Sequence, residues 1–380
     1  MQQAGDRRSP SIRNAVLLFL VAALLMAYYT ITHSGVFRID DEHILASRAI
    51  SLHLNGEFSD HQVYGNQRVR ELYEMGDAAT AIEPGQALLA QPFLWLASFL
   101  DIGYVQVLFW MTALLTAGTA VVLAGSVLSW GFPAGTAVWT ALLFALATSA
   151  AAYADTLYRD SQAMFFGMCA FYGMMVWFRR GKAAGLILFG AAAFAAVLTK
   201  NNMLALLPAF AVGQLLSLEK MKAMENWLRI RRIILIGAAV LLLAGTAVLL
   251  MPERGTLSRF SRTYYLFLLE FFRDSLTPAF VLQALGPFIS PAKSIFLFSP
   301  PLLLAVLGIR GIWKRDRALT AAVLVFVVGI TAAQALFFRE EWAGTFGWGL
   351  RFMLPALPVC MLLGTGILEQ WQSGNDWKRF

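Results

Sequence analysis

The sequence predicts an all-α, polytopic integral membrane protein that crosses the bilayer about ten times. Three observations predict it. Of 380 residues, 58% are hydrophobic and 14% charged, and the mean hydropathy is +0.63. A soluble domain of this length cannot keep so much apolar surface out of water. The apolar residues are gathered into runs near the length needed to span a hydrocarbon core of about 30 Å. Lys and Arg cluster between those runs rather than within them.

Arg7, Arg8 and Arg13 precede the first run, 14–32, which no small-residue cleavage site clearly follows, so it reads as a retained helix and not a signal peptide. Further runs cover 104–129, 134–152, 162–178, 183–199, 203–218, 233–250, 294–309, 318–338 and 352–368. The segment 87–100 is apolar but about 14 residues long, which suits an interfacial or re-entrant helix better than a span. Charge asymmetry decides its placement. If 87–100 does not cross, the clusters Arg179–Arg180–Lys182, Lys220–Lys222–Arg229–Arg231–Arg232 and Arg310–Lys314–Arg315–Arg317 share the cytoplasmic side with both termini. If it crossed, all of them would move outside. The expected topology therefore has outer loops at 33–103 and 251–293 and outer turns at 153–161, 200–202 and 339–351, within one transmembrane unit over 1–380. In the first loop, 41–54 places Leu45, Ala49 and Leu52 on one helical face, an amphipathic helix for the membrane surface.

The formal charge of +7 does not indicate nucleic acid, because the basic residues lie between apolar runs with no basic face interleaved with aromatics. Cys169 and Cys360 both fall inside runs and read as packing residues. The run interiors carry essentially no ionisable groups, whereas ion-coupled transport needs such groups at mid-membrane. The charges that ask for explanation lie at the outer ends of helices.

The densest is Arg38-Ile39-Asp40-Asp41-Glu42-His43, just outside the first run. Acids favour a helix start, yet three adjacent carboxylates repel one another, and one of Asp40, Asp41 or Glu42 is suited to serve as a general base or metal ligand. His33, His43, His53 and His61 share this loop in no firm metal-binding spacing. A second acid, Asp160, lies in the turn 153–160 and reads either as a site residue or as a solvated partner of Arg159. Lys200, Lys293 and Arg351 are the outer cations. Lys200 suits a helix C-terminus. Arg351 opens a run where both the dipole and the positive-inside bias disfavour a cation, so it reads as an anion-binding residue, with Glu340 and Glu341 as competing ion-pair partners.

Together these segments resemble the GT-C superfamily of membrane glycosyltransferases, whose members include protein O-mannosyltransferases and the aminoarabinose transferase of lipid A. Asp40-Asp41-Glu42-His43-Ile44-Leu45-Ala46-Ser47-Arg48-Ala49 is similar to the family's acidic pair and following amphipathic helix, and 83–92 (EPGQALLAQP) to its Pro-Gly juxtamembrane helix. Thr156–Asp160 matches the outer turn with a second acid, and Leu198-Thr199-Lys200 a basic helix end. Two later stretches, 290–301 and 347–358, also fit. There are departures. Asp160 is followed by Ser161 where the family often has Glu-Pro, and no soluble outer domain follows the last run.

The resemblance implies a polyprenyl-phosphate-linked sugar donor, inversion at the anomeric carbon, and a lipid, glycan or protein acceptor for the cell envelope. It implies Asp40 or Asp41 as base and Lys200, Arg351 and Lys293 as phosphate contacts, at the outer face of the cytoplasmic membrane. A divalent metal is compatible with it. Trp342, Phe346 and Trp348 are candidates for a sugar or lipid cleft, or for interfacial anchoring. Two other classes remain: a lipid-linked glycan flippase, which would carry polar groups along its helices, and a non-catalytic subunit of a glycan-assembly complex, which would tolerate loss of the outer acids.

Overall fold

The computed structural model describes residues 12–38, 40–56, 83–218, 278–338 and 349–374. Every regular element among them is helical: α1 (Ile12–Thr32), α2 (Asp40–Asn55), α3 (Gly85–Leu100), α4 (Tyr104–Ser129), α5 (Ala134–Ala147), α6 (Arg159–Arg180), α7 (Ala183–Thr199), α8 (Leu206–Leu218), α9 (Pro278–Ile289), α10 (Leu303–Arg315), α11 (Arg317–Phe338) and α12 (Ala356–Ser373). Single turns and 3₁₀ segments join some of them.

Four helices among the described residues are long and apolar enough to cross a bilayer: α1, α4, α6 and 317–336 of α11. That is short of the ten crossings expected. The run 233–250 lies outside the described residues, as does most of the loop 251–293. Several other runs are interrupted. Thr148 is extended and ends α5 at Ala147. Lys200 is extended at the turn expected over 200–202, and the 3₁₀ turn Asn201–Ala205 takes the first residues of the run 203–218. Ser299 breaks the run 294–309, and Pro300 and Pro301 behind it lack the N–H groups that would continue a helix. Two of these breaks satisfy each other, because the backbone N–H of Ser149 donates to Ser299 Oγ at 3.0 Å. Buried backbone freed by a helix break needs such a partner.

α6 and α7 form a hairpin, α4 packs along α6, α8 along α11, and α12 lies between α10 and α5. Their facing side chains form one large core that includes Phe144, Phe171, Phe326 and Met168. α1 lies against this bundle through Val21, Leu25 and Tyr29, while Ile12, Phe19, Leu20, Leu24 and Ile31 stay exposed. An exposed apolar stripe of that length matches a lipid-facing surface rather than a wet one.

α2 and α3 build a second, smaller core with α4. Leu45, Ala46, Ala49 and Ile50 are buried on α2, and Ala87, Ala90 and Leu94 on α3. The amphipathic face expected over 41–54 thus buries itself against the helix expected to lie flat. α3 leaves Trp95, Leu96 and Phe99 exposed.

The charged residues divide between the two ends of the bundle. At one end Arg179 donates to the carbonyl of Ser129, Arg315 donates to that of Trp130, and Arg315 reaches Glu369 at 3.9 Å. Cations at helix C-termini satisfy orphan carbonyls and the dipole. At the other end lie the starts of α2 and α6, the end of α7 and the turn Arg351–Met353 that leads into α12.

Candidate active site

The linker between α1 and α2 is held against the turn before α6 by two carboxylates. Asp155 pairs with His33 and with Arg38, and accepts the backbone N–H of Ser34 at 3.0 Å. Glu42, fully buried, accepts the N–H of Leu157 at 2.9 Å on one oxygen and that of Arg38 at 2.5 Å on the other. Gln86, at the start of α3, donates to the carbonyl of Leu157. These bonds set the start of α2 beside the start of α6.

Four charged groups from four segments then meet. Asp160, buried in the first turn of α6, accepts from Lys200 Nζ on Oδ1, and its Oδ2 lies 3.8 Å from Arg351 Nε. Arg351 Nη1 donates to Asp41 Oδ2 at 3.3 Å. A carboxylate at the start of α6 also sits at the positive end of the helix dipole. Phe352 underlies both cations, its ring centroid 4.6 Å from Lys200 Nζ and 4.9 Å from the Arg351 guanidinium carbon. The Tyr158 ring lies 4.5 Å from that carbon on a further side. Rings placed this way stabilise cations that burial would otherwise penalise.

The electrostatics follow from burial and neighbours. Burial pushes the Lys200 ammonium down to about 8, with Asp160 opposing the fall and Arg351 adding to it. Burial also works against the charge of Arg351, but the carboxylates of Asp160 and Asp41 outweigh it and hold its pKa above the ordinary value. The Tyr158 hydroxyl is raised to about 12, chiefly by burial. Asp41 is the open member, its side chain half-exposed where that of Asp160 is 4% exposed. Two carboxylates and two cations nearly neutralise one another, with one carboxylate still facing outward.

Of the residues singled out in the sequence, the structure brings together Asp41, Asp160, Lys200 and Arg351. Lys293 lies near the same loop, its Nζ 3.5 Å from the carbonyl of Gly349. Glu42 has both oxygens engaged with backbone N–H groups. The side chain of Asp40 and the residues Glu340, Glu341, Trp342, Phe346 and Trp348 lie outside the described residues. Arg159 pairs with Glu83 rather than Asp160. The sequence reading did not single out Glu83, Asp155, Tyr158 or Phe352 as site residues. Phe352 adjoins Arg351 and Tyr158 stands two residues before Asp160, whereas Glu83 and Asp155 adjoin no residue so marked. Among the described residues no group of three or more His, Cys, Asp and Glu side chains is placed to hold a metal ion.

The family model for dolichyl-phosphate-mannose-protein mannosyltransferase matches residues 96–256, somewhat under half of the chain. The match begins in α3 and includes Asp160 and Lys200. That match supports the resemblance to the GT-C superfamily of membrane glycosyltransferases. No curated protein matches it. Asp41 and Arg351 lie on either side of the matched stretch, and it is the fold that carries them to Asp160 and Lys200 within it.

Proposed function

We propose that the protein transfers a sugar from a polyprenyl-phosphate-linked donor to an acceptor hydroxyl at the outer face of the cytoplasmic membrane, with inversion. The observation that carries the reading is the meeting of Asp41, Asp160, Lys200 and Arg351 at the end of the bundle opposite its basic cluster. By the positive-inside rule the basic end is cytoplasmic, with both termini, and the site end is external.

Asp41 is the base. It is exposed enough to meet an acceptor, whereas Glu42 is buried with both oxygens engaged. The acceptor oxygen attacks the anomeric carbon from the face opposite the phosphate. Its proton passes to Asp41, the bond between that carbon and the phosphate oxygen breaks, and polyprenyl phosphate leaves with the electron pair. General-base assistance of this kind is worth roughly 10²–10⁴ in rate. Arg351 and Lys200, with Lys293 further out, receive the negative charge that gathers on the leaving phosphate; such preorganised contacts are worth about 3 kcal/mol each. The family name makes a mannosyl phosphoryl polyprenol the first donor to try and a protein hydroxyl the first acceptor class.

The test is turnover by the purified protein in lipid. Labelled mannosyl phosphoryl polyprenol with envelope extract should yield polyprenyl phosphate and a labelled acceptor together, and Asp41→Asn should abolish both. Transport of intact donor across vesicles without release of polyprenyl phosphate would overturn the reading in favour of a flippase.

A further inference from the structure

We propose that Glu83 is a positioning residue: it holds Arg159 away from Asp160, and so keeps Asp160 on Lys200 in the bearing that receives the donor phosphate. The inference rests on the reading of Lys200 and Arg351 as the phosphate contacts.

Glu83 lies just before α3 and is 7% exposed. One oxygen accepts the backbone N–H of Asn201 at 2.9 Å, and the other pairs with the guanidinium of Arg159. Each partner is the chain neighbour of a site residue, since Arg159 precedes Asp160 and Asn201 follows Lys200. A single carboxylate therefore grips both segments that carry the ion pair, one residue away from it on each. It is fixed in place from below. A Cβ on Gly85 would come within 2.5 Å of the Leu198 carbonyl and 2.6 Å of the Thr199 nitrogen, so the start of α3 lies directly on the end of α7.

The charges show why the grip matters. Arg159 feels the carboxylates of Asp160 and Asp41 and the cations Arg351 and Arg48, besides its contact with Glu83. Without Glu83, a partly buried guanidinium loses its ion-pair partner and turns to the adjoining carboxylate, Asp160. Lys200, 6% exposed, would then lose the group that keeps it charged. A buried ammonium without a counter-charge favours its neutral form and makes a poor phosphate contact. Glu83 therefore acts on the phosphate site through Arg159 and touches no substrate itself.

The experiment uses Glu83→Gln, which keeps a side-chain oxygen for the Asn201 N–H and removes the charge. Binding of polyprenyl phosphate to the purified full-length protein is measured with thermal stability. Losing one charge-assisted contact should weaken binding about tenfold. The double variant Glu83→Gln/Arg159→Gln should restore binding to within about threefold of wild type, since the displaced cation is gone. In the Arg159→Gln background the further Glu83→Gln change should leave binding unaltered, which keeps the test open if the single variant folds poorly. Unchanged binding in Glu83→Gln, or a double variant no better than the single, overturns the inference. Absence of binding by the wild type overturns instead the phosphate reading on which it rests.

Discussion

Replacing Arg351 by Ala separates a phosphate contact from a structural ion pair. In the structure its guanidinium has two carboxylate partners, Asp41 at 3.3 Å and Asp160 at 3.8 Å, and its side chain is 18% exposed. Asp41 is half-exposed, so its share of that pairing is worth about 1 kcal/mol or less to folding. Asp160 keeps Lys200 as a partner after the change. Stability should therefore fall by only about 1 kcal/mol. Donor binding should fall much further. Two charge-assisted hydrogen bonds at about 1.5–3 kcal/mol each correspond to at least a hundredfold in affinity. Arg351→Lys keeps the charge but not the planar fork, and should lose about tenfold. Equilibrium binding of polyprenyl phosphate, followed alongside thermal unfolding, reads both effects. Affinity within about twofold of wild type, with a lowered unfolding temperature, would refute the argument and leave Arg351 as a strut between α2 and α6.

Four further outcomes are expected. Asp41→Asn should lower turnover at least a hundredfold at normal protein level and membrane insertion; turnover within about threefold of wild type removes the base assignment. Glu42→Ala should instead reduce stability by about 1–3 kcal/mol, because two backbone N–H groups lose a buried acceptor, and an unchanged unfolding temperature counts against that. Lys200, held near 8 against an ordinary 10.5, loses its proton as pH rises through about 8, so donor affinity should decline above that pH and the inflection should vanish in Lys200→Met; a flat profile in wild type excludes the contact. The sign for folding is opposite: between about 8 and 10.5 the unfolded chain binds more protons, so the contribution of Lys200 to stability rises with pH. Cysteines introduced at Ser59 and Ser373 should differ in intact cells, with only Ser59 labelled by an impermeant thiol reagent, and equal labelling rejects the topology.

What was legible in the sequence was what depends on local pattern. Leu45 and Ala49 mark the buried face of α2 because helical spacing puts them there whatever they pack against. The segment 87–100 was set apart by its short length together with the charge asymmetry of the loops, and it forms one of the shorter apolar helices. The breaks at Thr148 and Ser299 were hidden, since one or two residues disturb the backbone while the hydropathy of the whole run stays high, whereas the turn at Lys200 was expected. The pairings were hidden for a different reason. Adjacency in the chain offered Asp160 as the partner of Arg159, but successive side chains on a helix point about 100° apart and do not face each other. α6 therefore directs Asp160 to Lys200 and Arg159 to Glu83, partners that come from two other segments. Asp41 and Arg351 are 310 positions apart and meet only because α12 enters beside α6 while Glu42 and Asp155 pin the α2 linker to the same turn. The types of charge needed for the site could be read from helix ends, where the dipole and the membrane make an out-of-place cation conspicuous. Which carboxylate answers which cation is a property of the packing, and here it divides three acids at this end of the bundle into different tasks. Glu42 is spent on backbone N–H groups, Asp160 on Lys200, and of the three Asp41 alone keeps a face toward solvent, where the proposed mechanism brings an acceptor hydroxyl.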